Sequence, residues 1–471
     1  MSQDESLGLI TKLSVSLGTS EPALRLLLTI LAGYPLAGVH RFCVYGKPAL
    51  VQHGFSILAG FALGYWNYGW DMLHTVFAIG VTYGLLLVLG GTAISVGLVF
   101  VFNLTYLLLG YYYVGTDSYD INWTMPQCIL VLRLIGIAFD YYDGQQPPES
   151  LGAENKKVAL AQCPNLLEMY GHTLFPASFM VGPQFPMKRY QDFVAGKFSE
   201  NDAAPTTNIK PGLTRFALGV FYLAVFQALG LLVSDQYMYS EEFGEVGFVK
   251  KMLLMGAWGR FTMYKYISCW LLTEGACIVF GLAYNGKGED GTPIWNGVEN
   301  VKLSTFENTT EFTHYIQSFN INTNHWSGQY IYKRLKFLGN RQISQLATLG
   351  FLAVWHGFHS GYYVCFFFEF MVVYMERDLK SIVKANNTLS GFFGDPTVST
   401  VVHVLLRLYT LVFMGWCLMP FALLKFDRYW GAFSNVYHVG SLTFLLWPVV
   451  YAPILRLVFR KSKKEEKERT E

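Results

Sequence analysis

LAVWHGFHSGYYVCFFFEF, residues 352–370, is the stretch whose reading decides the fold. All of it but the last two residues lies within 342–368, a run of 27 residues without Asp, Glu, Lys or Arg. A helix of about 20 apolar residues crosses a hydrocarbon core of about 30 Å, so the length suffices for a membrane span. Yet His356, His359, Gly357 and Gly361 stand in its middle. Polar side chains at membrane depth are costly, and their default reading is functional. The bland alternative is a histidine that merely hydrogen-bonds to a neighbouring helix. Irregular backbone at that depth is tolerated only where it is buried in protein or lines a cavity. We therefore expect a broken or re-entrant segment near Gly357 and Gly361, with His356 facing a cavity.

The rest of the chain repeats the apolar pattern. Hydrophobic residues make up 52% and charged residues 14%, against about 25% charged in soluble domains. Residues 72–116, 45 in all, carry no formal charge and could hold two spans. Further charge-free runs are 48–70, 216–234, 408–424 and 429–455. Adding 24–45, 125–142, 246–283 and 342–375, which carry few charges, gives about nine to twelve transmembrane or re-entrant helices. The fold class is all-α and polytopic, with the helices around a central cavity. The first 20 residues are polar at their start and lack a basic segment followed by an apolar one, so no cleavable signal is expected. Seven Lys or Arg from Arg456 onward put the C-terminal tail, 460–471, in the cytosol by the positive-inside rule.

Polar interruptions fall at 143–169, 186–214 and 284–318. The last leads into SFNINTNHWSGQYIYKRLKFLGN, 318–340, aromatic and basic rather than apolar. Lys333, Arg334, Lys336 and Arg341 there suit either lipid phosphates or a phosphorylated ligand. Simple alternation from a cytosolic tail would strand this cluster on the opposite side, a second reason to expect the 342–375 segment to be broken. Asn320, Asn322 and Asn324 are turn or capping residues on the bland reading. Were they helical, Asn320 and Asn324 would share a face and Asn322 would point away. Lys265 and Glu274, nine apart, do not face each other, and each is expected to pair elsewhere. The seven cysteines show no metal or disulfide spacing; Cys269 and Cys277, the closest pair, would lie ~12 Å apart on one helix.

WHGFHSGYY, 355–363, resembles the histidine motif of the membrane-bound O-acyltransferase family, and SFNINTNHWSGQYIYKR resembles its asparagine segment. YDINWTMPQCILVLRLIGIAFDYYDG (119–144) and FPASFMVGPQFPMKRYQDF (175–193) are similar to its earlier blocks. The resemblance implies one such domain over 21–459. It implies catalytic roles for His356 and for Asn320, the latter in the register set by QYIYK (329–333), with Asn322 and Asn324 as fallbacks. His359 and Asn324 would be supporting groups. Lys467 and Arg469 resemble an alternating form of the family's retrieval signal, which implies residence in the endoplasmic reticulum membrane.

The chemistry of acyl transfer fits these residue types. A thioester has a good leaving group, so the hard step is making an alcohol nucleophilic. A histidine base near neutrality contributes ~10²–10⁴ in rate. An asparagine amide can orient the substrate or donate to the developing oxyanion. The resemblance thus implies transfer of an acyl group, polyunsaturated by family habit, from acyl-CoA to the sn-2 hydroxyl of a lysophospholipid. Choline, ethanolamine and serine head groups are the implied acceptors. A sterol, diacylglycerol or protein acceptor is the alternative within the same chemistry, and a transporter the alternative outside it; transporters often show inverted repeats, and none is visible. Lys333, Arg334, Lys336 and Arg341 could meet the CoA phosphates. Acyl-CoA would be a cosubstrate, with no cofactor and no metal. Membrane lipids are expected partners and nucleic acid is not; self-association into a homo-oligomer stays open.

Overall fold

The computed structural model describes residues 8–116, 121–199 and 203–459; the tail at 460–471, with its retrieval signal, lies outside them. The described chain is helical, its extended pairings limited to two isolated bridges. The helices that carry the argument are α1 (Glu21–Val39), α2 (Ala49–Tyr68), α3 (Met72–Leu89), α4 (Ala93–Val114), α5 (Thr124–Gly144) and α6 (Ile209–Gly230). They continue with α7 (Phe248–Phe280), the short α8 (Ile321–Ser327), α9 (Arg341–His356), α10 (Ser360–Ala385) and α11 (Pro396–Leu423).

Six stretches among the described residues are long and apolar enough to cross a membrane: Glu21–Val44, Ala49–Leu89, Ala93–Val114, Thr124–Gly144, Ile209–Gly230 and Pro396–Leu423. Val439–Leu445 with Trp447–Val458, bent by 47°, makes a seventh. The expected nine to twelve counted further helices, and the difference has physical causes. Residues 49–89 run on as one 41-residue stretch through α2 and α3. Helix α7 carries charges that the protein itself satisfies. The Lys251 ammonium donates to the carbonyls of Gly244 (2.9 Å) and Asn435 (2.7 Å). Arg260 donates to the Phe306 carbonyl (2.8 Å), and Glu274 pairs with Arg215 on α6 (2.8 Å).

Helix α7 is the mast of the fold, packed against α1, α6 and α11. Its Gly256 and Gly259 cross α11 at Gly415, where any side chain would run into backbone. Small residues at such crossings let helices approach where lipid gives no hydrophobic drive. Helix α5 is the innermost of the apolar stretches. Of its most apolar window 72% is buried in protein, against 17% for α6. Its Arg133, fully enclosed, donates to the carbonyls of His172, Thr173, Ser178 and Pro183 and to the Ser178 hydroxyl, which staples the loop after residue 172 to α5. Burial, with Arg133 alongside, pushes His172 down to about 3, so its neutral ring donates from Nε2 to the Phe185 carbonyl.

The 342–375 segment is broken as expected. Helix α9 ends at His356 because Gly357 adopts φ 119° and ψ −158°, a conformation open in practice only to glycine. Three residues follow His356 before α10 begins at Ser360 and packs back along α9. Arg377, late in α10, lies 3.5 Å from the amide oxygen of Gln345, early in α9. The two helices therefore form a hairpin with His356–Gly357 at its tip and both charged ends together. The basic cluster at 333–341 thus lies at the same end of the hairpin as the charged end of α10. Gly361 has a different job: it lies under the Pro420 carbonyl of α11, and its N–H donates to the Leu424 carbonyl (3.1 Å).

Candidate active site

Asn320 is not in a helix. It is the residue before α8, in the left-handed region at φ 50° and ψ 47°, where asparagine is among the few residues tolerated. The segment around it pairs with 298–302: Lys302 N–H donates to the Ser318 carbonyl (2.9 Å) and Ile321 N–H to the Asn300 carbonyl (3.1 Å). Asn300 is the pivot. Its buried N–H donates to Glu274 (3.1 Å), and its side-chain oxygen accepts from the Asn322 N–H (3.0 Å) and amide (3.1 Å). Glu274 is fixed in turn by Arg215, which also reaches Glu299 (2.8 Å). Glu274 thus finds its partner elsewhere, as expected; the Lys265 ammonium lies 4.9 Å over the Tyr266 ring.

The three asparagines separate cleanly. The Asn322 amide donates to the carbonyls of Val298 (3.2 Å) and Glu299 (3.0 Å) as well as to Asn300. The Asn324 amide donates to the carbonyls of Ile316 and Phe319, both at 2.9 Å. These two side chains hold the loop. The Asn320 oxygen accepts one long bond from Asn300 (3.4 Å), and its NH₂ group has no partner among the described residues. The helical face that would have grouped Asn320 with Asn324 does not exist, because the helix begins one residue later.

His356, partly exposed, stands in a cage of rings: Trp355 at 4.6 Å between centroids, Phe421 at 5.0 Å, Tyr362 at 5.3 Å and Phe366, stacked, at 5.6 Å. Its ring nitrogens have no hydrogen-bond partner among the described residues, so the bland reading of a helix-bonding histidine does not apply. His359 stands at the N-cap of α10, 5.8 Å from the Tyr362 ring. The two segments are joined by aromatic contacts. Phe421 meets Tyr266 at 6.5 Å, Tyr266 meets Phe319 at 6.3 Å, and Trp270 meets Phe319 at 4.8 Å. Phe319 directly precedes Asn320.

Both segments are also docked on α5. The Trp355 indole donates to the Cys128 carbonyl (3.1 Å) and the Trp326 indole to the Leu132 carbonyl (2.9 Å), one helical turn on. Both Trp326 and Tyr330 pack over Gly136. The Tyr330 hydroxyl donates to Asp140 (2.6 Å), and Arg334 forks onto the buried Asp143 (2.9 and 2.5 Å) with its guanidinium 4.9 Å from the Phe139 ring. Arg334 is thereby tied up in the fold, whereas Lys333, Lys336 and Arg341 are exposed. Nothing in the spacing of the sequence singled out Asn300, Arg215 or Asp143, since each acts on a residue distant in the chain.

This difference gives two expected outcomes. Arg334→Ala leaves the Asp143 carboxylate without its charged partner and lowers stability by about 3–5 kcal/mol, read as a fall in thermal midpoint. Replacing Lys333, Lys336 and Arg341 together by alanine leaves the midpoint within a degree or two and raises the KM for the CoA donor severalfold. An unchanged KM would assign those three to the membrane surface alone.

The described chain is helical, with a histidine at a hairpin tip linked through Phe421, Tyr266 and Phe319 to the asparagine segment. The family model for the membrane-bound O-acyltransferases matches residues 108–419, and the chain belongs to that family. It is 45% identical to lysophospholipid acyltransferase 5 of Drosophila melanogaster, over 94% of this chain and 90% of that one. Identity to lysophospholipid acyltransferase 5 of Homo sapiens is 40%, over 93% and 90%. To the protein of the same name in Caenorhabditis elegans it is 35%, over 99% of both chains.

Proposed function

We propose that this enzyme transfers a fatty acyl group from acyl-CoA to the free sn-2 hydroxyl of a lysophospholipid. The acceptors are lysophosphatidylcholine and its ethanolamine and serine counterparts, and the donors are polyunsaturated. The names of the relatives, matched over nearly their full length, support the lysolipid acceptor over a sterol, diacylglycerol or protein. His356 takes the hydroxyl proton as the oxygen attacks the thioester carbonyl. A C–O bond forms, the C–S bond breaks, and the proton returns from the imidazolium to the CoA thiolate. Asn320 donates its amide N–H to the carbonyl oxygen as charge develops there. No cofactor takes part, because acyl-CoA is consumed as a cosubstrate. The enzyme works in the endoplasmic reticulum membrane with its C-terminus in the cytosol.

The observation that carries this reading is the contrast among the asparagines: two amides are spent on backbone carbonyls and the third is left for a ligand. The test is an acyl-CoA by lysolipid activity matrix on the purified protein, read as free thiol released. Turnover is expected with lysophosphatidylcholine and a polyunsaturated donor. Turnover with a sterol or diacylglycerol alone would overturn the acceptor assignment, and thiol release indifferent to any acceptor would reduce the activity to hydrolysis.

A further inference from the structure

Tyr111 lies near the end of α4, far in sequence from the histidine motif, and reaches it at three points. Its hydroxyl is 3.0 Å from the Trp355 carbonyl and donates to it. The same oxygen lies 2.7 Å from the Cys128 sulfur. Its ring faces Gly357, where a Cβ would come within 3.3 Å of it. The phenol and the thiol have one proton each, and they share these among the Trp355 carbonyl, the Thr124 carbonyl 3.1 Å from the sulfur, and each other.

The Trp355 carbonyl belongs to the peptide plane that leads into His356. Carbonyls in the last turn of a helix lack an intrahelical partner, and α9 ends at His356, so this one has to be satisfied from outside. Tyr111 does so, while the Trp355 indole is fixed to the carbonyl of the same Cys128. The residue before the histidine is therefore held at both its backbone and its side chain, by α4 and by α5. The imidazole has no hydrogen bond of its own to fix it, so its aim depends on that peptide plane and on the surrounding rings.

We infer that Tyr111 is a positioning residue for His356: its hydroxyl fixes the peptide plane at Trp355 and thereby the direction from which the imidazole meets the acceptor hydroxyl. This rests on the reading of His356 as the base. Tyr111→Phe keeps the ring and deletes only the hydroxyl. In the purified full-length protein, with lysophosphatidylcholine and a polyunsaturated acyl-CoA, kcat per folded molecule falls by about fivefold to tenfold, the scale of one hydrogen bond. KM for both substrates stays within about twofold, because the hydroxyl is already engaged by Trp355 and Cys128. Tyr112→Phe, which changes a neighbouring side chain that is 74% exposed, leaves kcat unchanged.

A hydroxyl that serves stability alone would lower the thermal midpoint and leave kcat per folded molecule at the wild-type value; that result overturns the inference. Should Tyr111→Phe fail to accumulate folded, Cys128→Ala removes the thiol behind the phenol. It is expected to lower kcat at constant KM, and an unaltered kcat overturns the inference equally. His356→Ala is measured alongside. If it is active, the base assignment fails; if it is dead while Tyr111→Phe turns over normally, only the positioning role fails.

Discussion

His356→Ala is expected to abolish turnover, with a loss of at least ~10²–10⁴, the range that general-base catalysis contributes. The protein should remain folded, because the imidazole makes no hydrogen bond to the described residues and its removal orphans no buried polar group. What it gives up is ring contact with Tyr362, Phe366 and Phe421. Initial rates of thiol release and a thermal midpoint measured on one preparation decide the matter. More than a few per cent of wild-type activity in a folded variant would reject the assignment. His359→Ala is expected to lose less, since its ring faces Tyr362 at 5.8 Å and Tyr362 in turn faces His356 at 5.3 Å.

Asn320 carries the second large effect. An oxyanion left without its positioned donor costs roughly 3–4 kcal/mol, a factor of 10²–10³ in turnover. Asn320→Ala adds a complication, because alanine is strained at φ 50°. Asn320→Gly removes the amide without that strain. Both variants should lose turnover by the same factor, and a working Asn320→Gly would trace the alanine defect to backbone conformation. Asn322→Ala and Asn324→Ala should instead lower stability with kcat per folded molecule nearly intact, because their amides bond to backbone carbonyls. If either of those is the dead variant while Asn320→Gly turns over, the register of the asparagine segment is wrong.

The parts of this molecule that were legible in its sequence are those where local chemistry is self-sufficient. A glycine pair and a histidine inside an uncharged run announce a break, and the break is at Gly357. The family resemblance pointed to His356 and, through the register of 329–333, to Asn320, and the structure adds the contrast in how the three asparagine amides are bonded. The geometry of Asn320 was not legible, because the left-handed conformation that starts α8 is imposed by pairing with 298–302. A scan for long apolar helices finds six or seven spans, and the remaining helices carry charges that other segments answer. The charges of α7 look prohibitive or ambiguous in a one-dimensional scan, yet Glu274 is answered by Arg215, and Lys251 by the carbonyls of Gly244 and Asn435. Arg334 looked like its basic neighbours until Asp143, far upstream, was found to hold it. Pairings between distant segments leave no trace in composition or periodicity.

The α9–α10 hairpin also fixes a matter of parity. Every helix that crosses a bilayer moves the chain to the other side, whereas a hairpin returns it to where it began. The chain that enters α9 at Arg341 and the chain that leaves α10 toward α11 therefore stand at the same face. The two helices together add zero to the count that relates one terminus to the other. Helix α9, at 16 residues, rises only ~24 Å, short of the ~30 Å hydrocarbon core. Its partner α10, at 26 residues, is long enough to cross, so the two arms of the hairpin are unequal and the histidine caps the shorter one.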